Sequence, residues 1–195
     1  MNLRPEQERA LAYARRRGTE ASLADIKSRV SSTYSDFEAL VRPIPPGIAR
    51  TRPSPSSWSV QEVVDHLVVS DRRAVDQLTE LIAGESSEIP TPASLQSPTP
   101  LDADWHALVA DFALVHQRVL ALLDAASDDI PLLATARVEM VVKCATSEGT
   151  VTTVHWVQRF DWKAYAILLH AHNRQHIAQV QRTLTSLANA ERGVG

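Results

Sequence analysis

"SSWSVQEVVDHL", residues 56–67, decides how this chain folds. Ser59 and Glu62 have the spacing of a capping box, in which each side chain satisfies a backbone N–H at a helix start. Trp58 and Val63 flank it at the spacing of a hydrophobic staple. A helix is therefore expected from about residue 60, with Val60, Val63, Leu67, Ala74, Leu78 and Leu81 as its apolar stripe and Gly84 as its stop.

The same period recurs on either side. Leu23, Ile26, Val30, Phe37, Leu40 and Val41 mark a helix over 22–42, capped by Ser22 with Asp25 and ended by Pro43, Pro45 and Pro46. Trp105, Leu108, Val109, Phe112, Val119 and Leu123 mark another over 102–126, with Asp102 or Thr99 as its cap. A fourth begins after Asp161, a good N-cap, and runs to about 188. Between the last two, the Val- and Thr-rich pattern reads as a hairpin of 137–145 and 150–158 around the turn "TSEGT". Residues 84–100, with four prolines, read as a surface crossover. Residues 4–17 form a short polar helix, stopped by Gly18 in a left-handed C′ conformation.

Each apolar stripe needs a partner, and four stripes together enclose one core. The expectation is an all-α four-helix bundle with a small β-hairpin before the last helix. Residues 1–20 would be an N-terminal helical arm and 21–190 the bundle domain.

Composition sets further bounds. The chain has 195 residues, 44% of them hydrophobic, and a net charge of -3, which gives no electrostatic reason to expect nucleic acid or an anionic membrane as partner. Arg15, Arg16 and Arg17 are read as offsetting the negative end of the first helix. Cys144 is the one cysteine, so no intrachain disulfide forms, and its place in an alternating stretch reads as a packed strand position. The N-terminus has no apolar signal region. No window approaches the roughly 18 uninterrupted apolar residues of a membrane span. A cytoplasmic location is expected.

Three of the seven histidines fall within "HAHNRQH", residues 170–176. His172 and His176 lie four apart, on one helix face, where two imidazoles can point at one ion. Chance placement on a polar face is the more common origin of such a pair taken alone. The spacing is that of HExxH, yet Asn173 stands where a zinc protease needs its glutamate, which excludes that class. A bundle can supply a third ligand from another helix, and His66, beside the buried positions Val63 and Leu67, is the candidate. Three neutral imidazoles leave a coordination position open, the layout of a catalytic metal site. His170 is about 200° round the helix from His172, too far to share the ion. His106, His116 and His155 are read as structural.

"SWSVQEVVDHL" resembles the W-S-x-x-E-x-x-x-H-L motif of the DinB-like superfamily, and "HNRQHIAQV" resembles its H-x-x-x-H-x-x-Q motif. The resemblance spans roughly residues 20–188. It implies an up-up-down-down bundle, usually a homodimer, with a divalent metal, often nickel or zinc, held by His66, His172 and His176. Gln179 matches the family's glutamine and would support the site from behind. The N-terminal arm and the hairpin depart from the plainest members.

Characterised members of that superfamily include S-transferases that use low-molecular-weight thiols such as bacillithiol or mycothiol. The resemblance thus implies a metal-dependent thiol S-transferase acting on small-molecule substrates. A hydrolase with the same triad and a non-enzymatic metal-binding stress protein are the alternatives. Glu62, one turn before His66, and Gln179 are the candidates for proton handling. For Glu62 the capping role is the simpler reading.

Overall fold

The structure, a computed structural model, describes residues 4–145 and 150–192. It is mostly helical, a four-helix-bundle arrangement joined to a small three-stranded sheet. In chain order the elements are α1 (Pro5–Ala14), a π-helical turn (Arg15–Thr19), α2 (Leu23–Val41), α3 (Pro46–Arg50) and α4 (Val60–Ile82). Then come β1 (Ser87–Thr91), α5 (Trp105–Ala125), β2 (Ala136–Ala145), β3 (Val151–Phe160) and α6 (Trp162–Arg192).

The caps explain where the long helices begin. Ser59 Oγ accepts from Glu62 N at 3.2 Å, and Glu62 Oε2 accepts from Ser59 N at 2.8 Å, so the box at α4 closes in both directions. Ser22 caps α2 through Asp25 N, and Asp161 Oδ1 accepts from Ala164 N at 2.9 Å to start α6. α5 is capped by Asp104, which accepts from Ala107 N, in place of the expected Asp102 or Thr99. The three candidates, Thr99, Asp102 and Asp104, lie within six residues, and spacing alone does not choose among them.

The expected stripes are buried. α4 packs on α5, and α6 packs on both α2 and α4. Their apolar side chains form two clusters. One contains Ile26, Val30, Leu78, Leu81, Val119, Leu123 and Trp162. The other contains Phe37, Val63, Leu67, Trp105, Phe112, Ile177 and Val180. α5 has an 18-residue window of mean hydropathy 1.3, long and apolar enough by composition to cross a membrane. Asp111, His116, Gln117 and Arg118 interrupt it, and its Trp105, Phe112, Val119 and Leu123 face the bundle interior.

Two local expectations are corrected and a third is extended. Gly18 does not adopt positive φ; among described glycines only Gly84 does, at 87°. Gly18 is needed for space: a Cβ there would lie 2.5 Å from the Ala164 Cα. The prolines after α2 end it at Val41 as expected, and they also start the next helix. Pro46 sits at the first position of α3, where proline's missing N–H leaves nothing unsatisfied. The 84–100 stretch is not all crossover either, since β1 pairs parallel with β2 and makes the hairpin a three-stranded sheet ordered β1-β2-β3. β1 contains Pro90, which an edge strand tolerates.

The hairpin itself forms where expected, with Ala136 opposite Phe160 through Ala145 opposite Val151. The "TSEGT" turn falls on residues 146–149, outside the described residues, except for Thr150. The N-terminal arm packs on α6 through the π turn, and Thr19 Oγ1 donates to Asp161 Oδ2 at 2.5 Å.

Candidate metal centre

α4 delivers His66 and α6 delivers His172 and His176 to one point. His172 Nε2 lies 3.1 Å from His66 Nε2 and 3.1 Å from His176 Nε2. Among the described residues this is the one group of histidine, cysteine or acidic side chains whose donor atoms cluster as a metal site requires. Nitrogens about 2.1 Å from a tetrahedral zinc would be about 3.4 Å apart, close to what is seen.

The far side of each ring decides what the near side presents. His66 Nδ1 is 2.6 Å from the Leu95 carbonyl, which only accepts, so Nδ1 carries the proton and Nε2 a lone pair. His176 Nδ1 donates in the same way to Gln179 Oε1 at 2.9 Å. A proton on His172 Nε2 can serve one of its two neighbours. A divalent cation serves all three at once, and such outer bonds are how ligating imidazoles are ordinarily oriented. The residues present therefore fit a metal ion.

Burial also keeps these rings neutral, the form that binds metal. His66 is held below the ordinary histidine range by desolvation. His176 is held at about 4 by desolvation and by the neighbouring His66. His172 is pushed down furthest, by burial first and then by both other rings.

The two remaining sequence candidates separate here. Gln179 touches the site through His176. Glu62 does not: it is bound to Ser59 N and forms an ion pair with Arg52. Its carboxyl is held low by the Arg52 guanidinium and the Ser59 N–H, despite burial. The simpler capping role describes its contacts.

A strap from the proline-rich crossover closes one side. Besides the Leu95 carbonyl, Ser97 donates through N and Oγ to Asp65 at 2.9 and 2.7 Å, and Gln96 Nε2 donates to the Glu62 carbonyl. The part played by Leu95 leaves no trace in its residue type, because it is made by backbone. On another side opens a cleft of about 610 Å³, bordered by Trp58, His176 and Gln179.

The other histidines lie apart from the triad. His170 Nδ1 meets Thr33 Oγ1 at 2.7 Å, and His155 Nδ1 meets Glu139 at 3.0 Å. His116 is buried, stacked on Tyr34 with ring centroids 3.6 Å apart and hydrogen-bonded to Glu38. Cys144 is buried on β2, and desolvation raises its thiol above the ordinary range, which argues against a nucleophile.

Comparison with known proteins places this arrangement. The chain is similar in fold to YfiT from Bacillus subtilis, described as a probable metal-dependent hydrolase with an unusual four-helix bundle topology. That match has 14% identity, covers 85% of this chain and 87% of YfiT, and has a TM-score of 0.58. A structure assigned to the DinB family, from Exiguobacterium sibiricum, matches at 16% identity over 85% of this chain and 91% of that one, with a TM-score of 0.49. A search of curated protein sequences finds no significant match. The family model of the DinB superfamily matches residues 29–180, a span that takes in both histidine motifs, all of α4 and α5, and most of α2 and α6. The chain belongs to the DinB superfamily.

Proposed function

We propose that the protein is a metal-dependent thiol S-transferase that joins a low-molecular-weight thiol to an electrophile. The observation that carries this reading is a triad of neutral imidazoles at a polar cleft, with no unengaged carboxylate beside it among the described residues. His66, His172 and His176 would hold one divalent ion, nickel or zinc, both of which imidazole binds well. Bound there, such an ion supplies Lewis acidity that keeps a thiol ionised near neutral pH. Leu95 and Gln179 fix the imidazole tautomers, and Trp58 walls the cleft where the electrophile approaches. The sulfur forms the new bond to carbon, the leaving group departs with the bonding pair, and the thiol proton passes to solvent.

A metal-dependent hydrolase is the second reading, favoured by the description of YfiT. Hydrolysis gains from a general base near the attacking water. Glu62 is tied to Ser59 and Arg52, and an amide such as Gln179 takes up no proton, so the transferase reading is preferred. A homodimer with helices in up-up-down-down order completes the proposal.

The first test is elemental analysis of untagged protein. Near one divalent ion per chain is expected, lost in His66→Ala. The second is turnover of chlorodinitrobenzene with a panel of small thiols, beside a nitrophenyl ester without thiol. Thiol-dependent product that disappears in His172→Ala supports the transferase. Ester cleavage alone would select the hydrolase, and bound metal without either activity would select the non-enzymatic reading.

A further inference from the structure

We propose that the cleft beside His176 carries an anion-binding subsite at Lys143 and Arg182, which holds the far, carboxylate- or phosphate-bearing end of the thiol substrate. This rests on the reading of the triad as a thiol-binding metal centre, and it adds which thiols the site takes.

The cleft has three walls: one face of α6, the 53–58 segment, and the end of β2. Its lining includes Lys143 and Arg182 but no described aspartate or glutamate, although acidic residues outnumber Lys and Arg in the chain by 23 to 20. Nor are these two cations engaged elsewhere. Neither has a hydrogen-bond or ion-pair partner among the described residues, whereas Arg52 and Arg159 are paired with Glu62 and Glu88. Two exposed cations would be unremarkable on an open surface. Here they share a concave site with His176, and among the described residues no carboxylate pairs with either.

Spacing gives the ligand a length. Arg182 lies six residues beyond His176 on α6, about 9 Å along the axis. Helix side chains lean toward the N-terminus, so a guanidinium there serves the part of the cleft between Arg182 and the triad. Lys143 approaches the same cleft from β2. A ligand with its sulfur at the triad and an anionic group several bonds away spans the two. Hydroxyls of Ser57, Thr183 and Ser186 also line the cleft and suit a polar ligand.

The test compares two thiols of equal length, mercaptohexanoate and mercaptohexanol, which differ in a terminal carboxylate against a hydroxyl. Each is titrated into cobalt-loaded protein, and the sulfur-to-cobalt absorption band reports binding. The carboxylate thiol is expected to bind about fivefold tighter at low salt, an advantage that high salt screens away. In the double variant Lys143→Ala, Arg182→Ala the advantage should vanish while mercaptohexanol affinity holds. Equal affinities in the wild type overturn the subsite and leave the thiol reading standing. If neither thiol produces the band, the thiol reading fails, and amide NMR of the zinc-loaded protein with hexanoate decides the subsite alone. Shifts at residues 143 and 182 that are lost in the double variant support it; their absence overturns it.

Discussion

At the residue scale, one amide and one carboxylate show how position assigns a role. Gln179 and Glu62 were both candidates for handling protons at the site, with capping the simpler reading for Glu62. Gln179 accepts from His176 Nδ1, so it sets which nitrogen of that ring faces the other two. Gln179→Ala should weaken metal binding about tenfold, and Gln179→Glu, which keeps an acceptor, should restore most of it. Competition with a chromophoric chelator measures both. Glu62→Ala should behave in the opposite manner. It removes the closing half of the capping box and the ion pair with Arg52, at a cost of about 1–2 kcal/mol in stability. Metal affinity should stay within about twofold; a larger loss would return Glu62 to the site. The triad was legible because i and i+4 histidines share one helix face, and His66 stood next to a readable stripe. The Leu95 carbonyl was not legible, since any residue type offers a carbonyl.

At the element scale, the sequence reading succeeded where side chains enforce a period or a cap. The stripes of α2, α4 and α5 and the strands of the hairpin lie where the pattern put them, and the boundaries of α2 and α4 follow their caps. It missed α3 and β1, which are five residues each and contain Pro46 and Pro90. Segments that short carry less than two turns of helical period or three alternations of a strand, and proline reads first as a breaker. Gly18 was recognised as special for the wrong reason. Its hydrogen in place of a side chain lets the π turn approach α6, with the Ala164 Cα and the Ile167 Cγ2 both inside 3 Å of where a Cβ would sit. Gly18→Ala must push the turn off α6. We expect a loss of about 2 kcal/mol and faster hydrogen exchange in residues 5–19, with metal affinity unchanged. A substitution without effect on stability would show that the arm is not packed on the bundle in solution.

At the scale of the whole molecule, the bundle interior is divided by a polar layer. On α4, Asp71 falls between Leu67 of one apolar cluster and Ala74 of the other; His116 on α5 and Asn173 on α6 occupy the same level. Asn173 Nδ2 donates to Asp71 Oδ2 at 3.1 Å, and His116 Nε2 is 3.7 Å from the same oxygen. All three sit on the three-and-four spacing of their buried stripes, so the sequence did carry the signal, as polar residues in core positions. It was passed over because each looked solitary. Such a layer lowers stability relative to an apolar one and favours the helix alignment that pairs its members. That same alignment brings His66 of α4 level with His172 and His176 of α6.

The layer has a pH dependence with a definite sign. Burial holds the Asp71 carboxyl up to about 7 from 3.8, and the His116 imidazole down to about 3 from 6.5. Between about pH 4 and 6.5 the unfolded chain has lost the Asp71 proton that the folded chain keeps, so this group makes stability fall as pH rises. Over the same interval the unfolded chain binds a proton at His116 that the folded chain does not, so this group makes stability rise. Each slope is at most about 1.4 kcal/mol per pH unit, and in the wild type they oppose one another. Substitution uncovers them one at a time. Relative to wild type, Asp71→Asn should gain stability as pH rises from about 4.5 to 6.5, because only the histidine slope remains. His116→Gln should lose stability over the same range. Urea unfolding of chelator-treated protein measures both, and taking differences from wild type removes the contribution of the triad. Parallel pH profiles for all three proteins would mean that Asp71 and His116 are solvated in the folded state, and that the helices are not aligned through them.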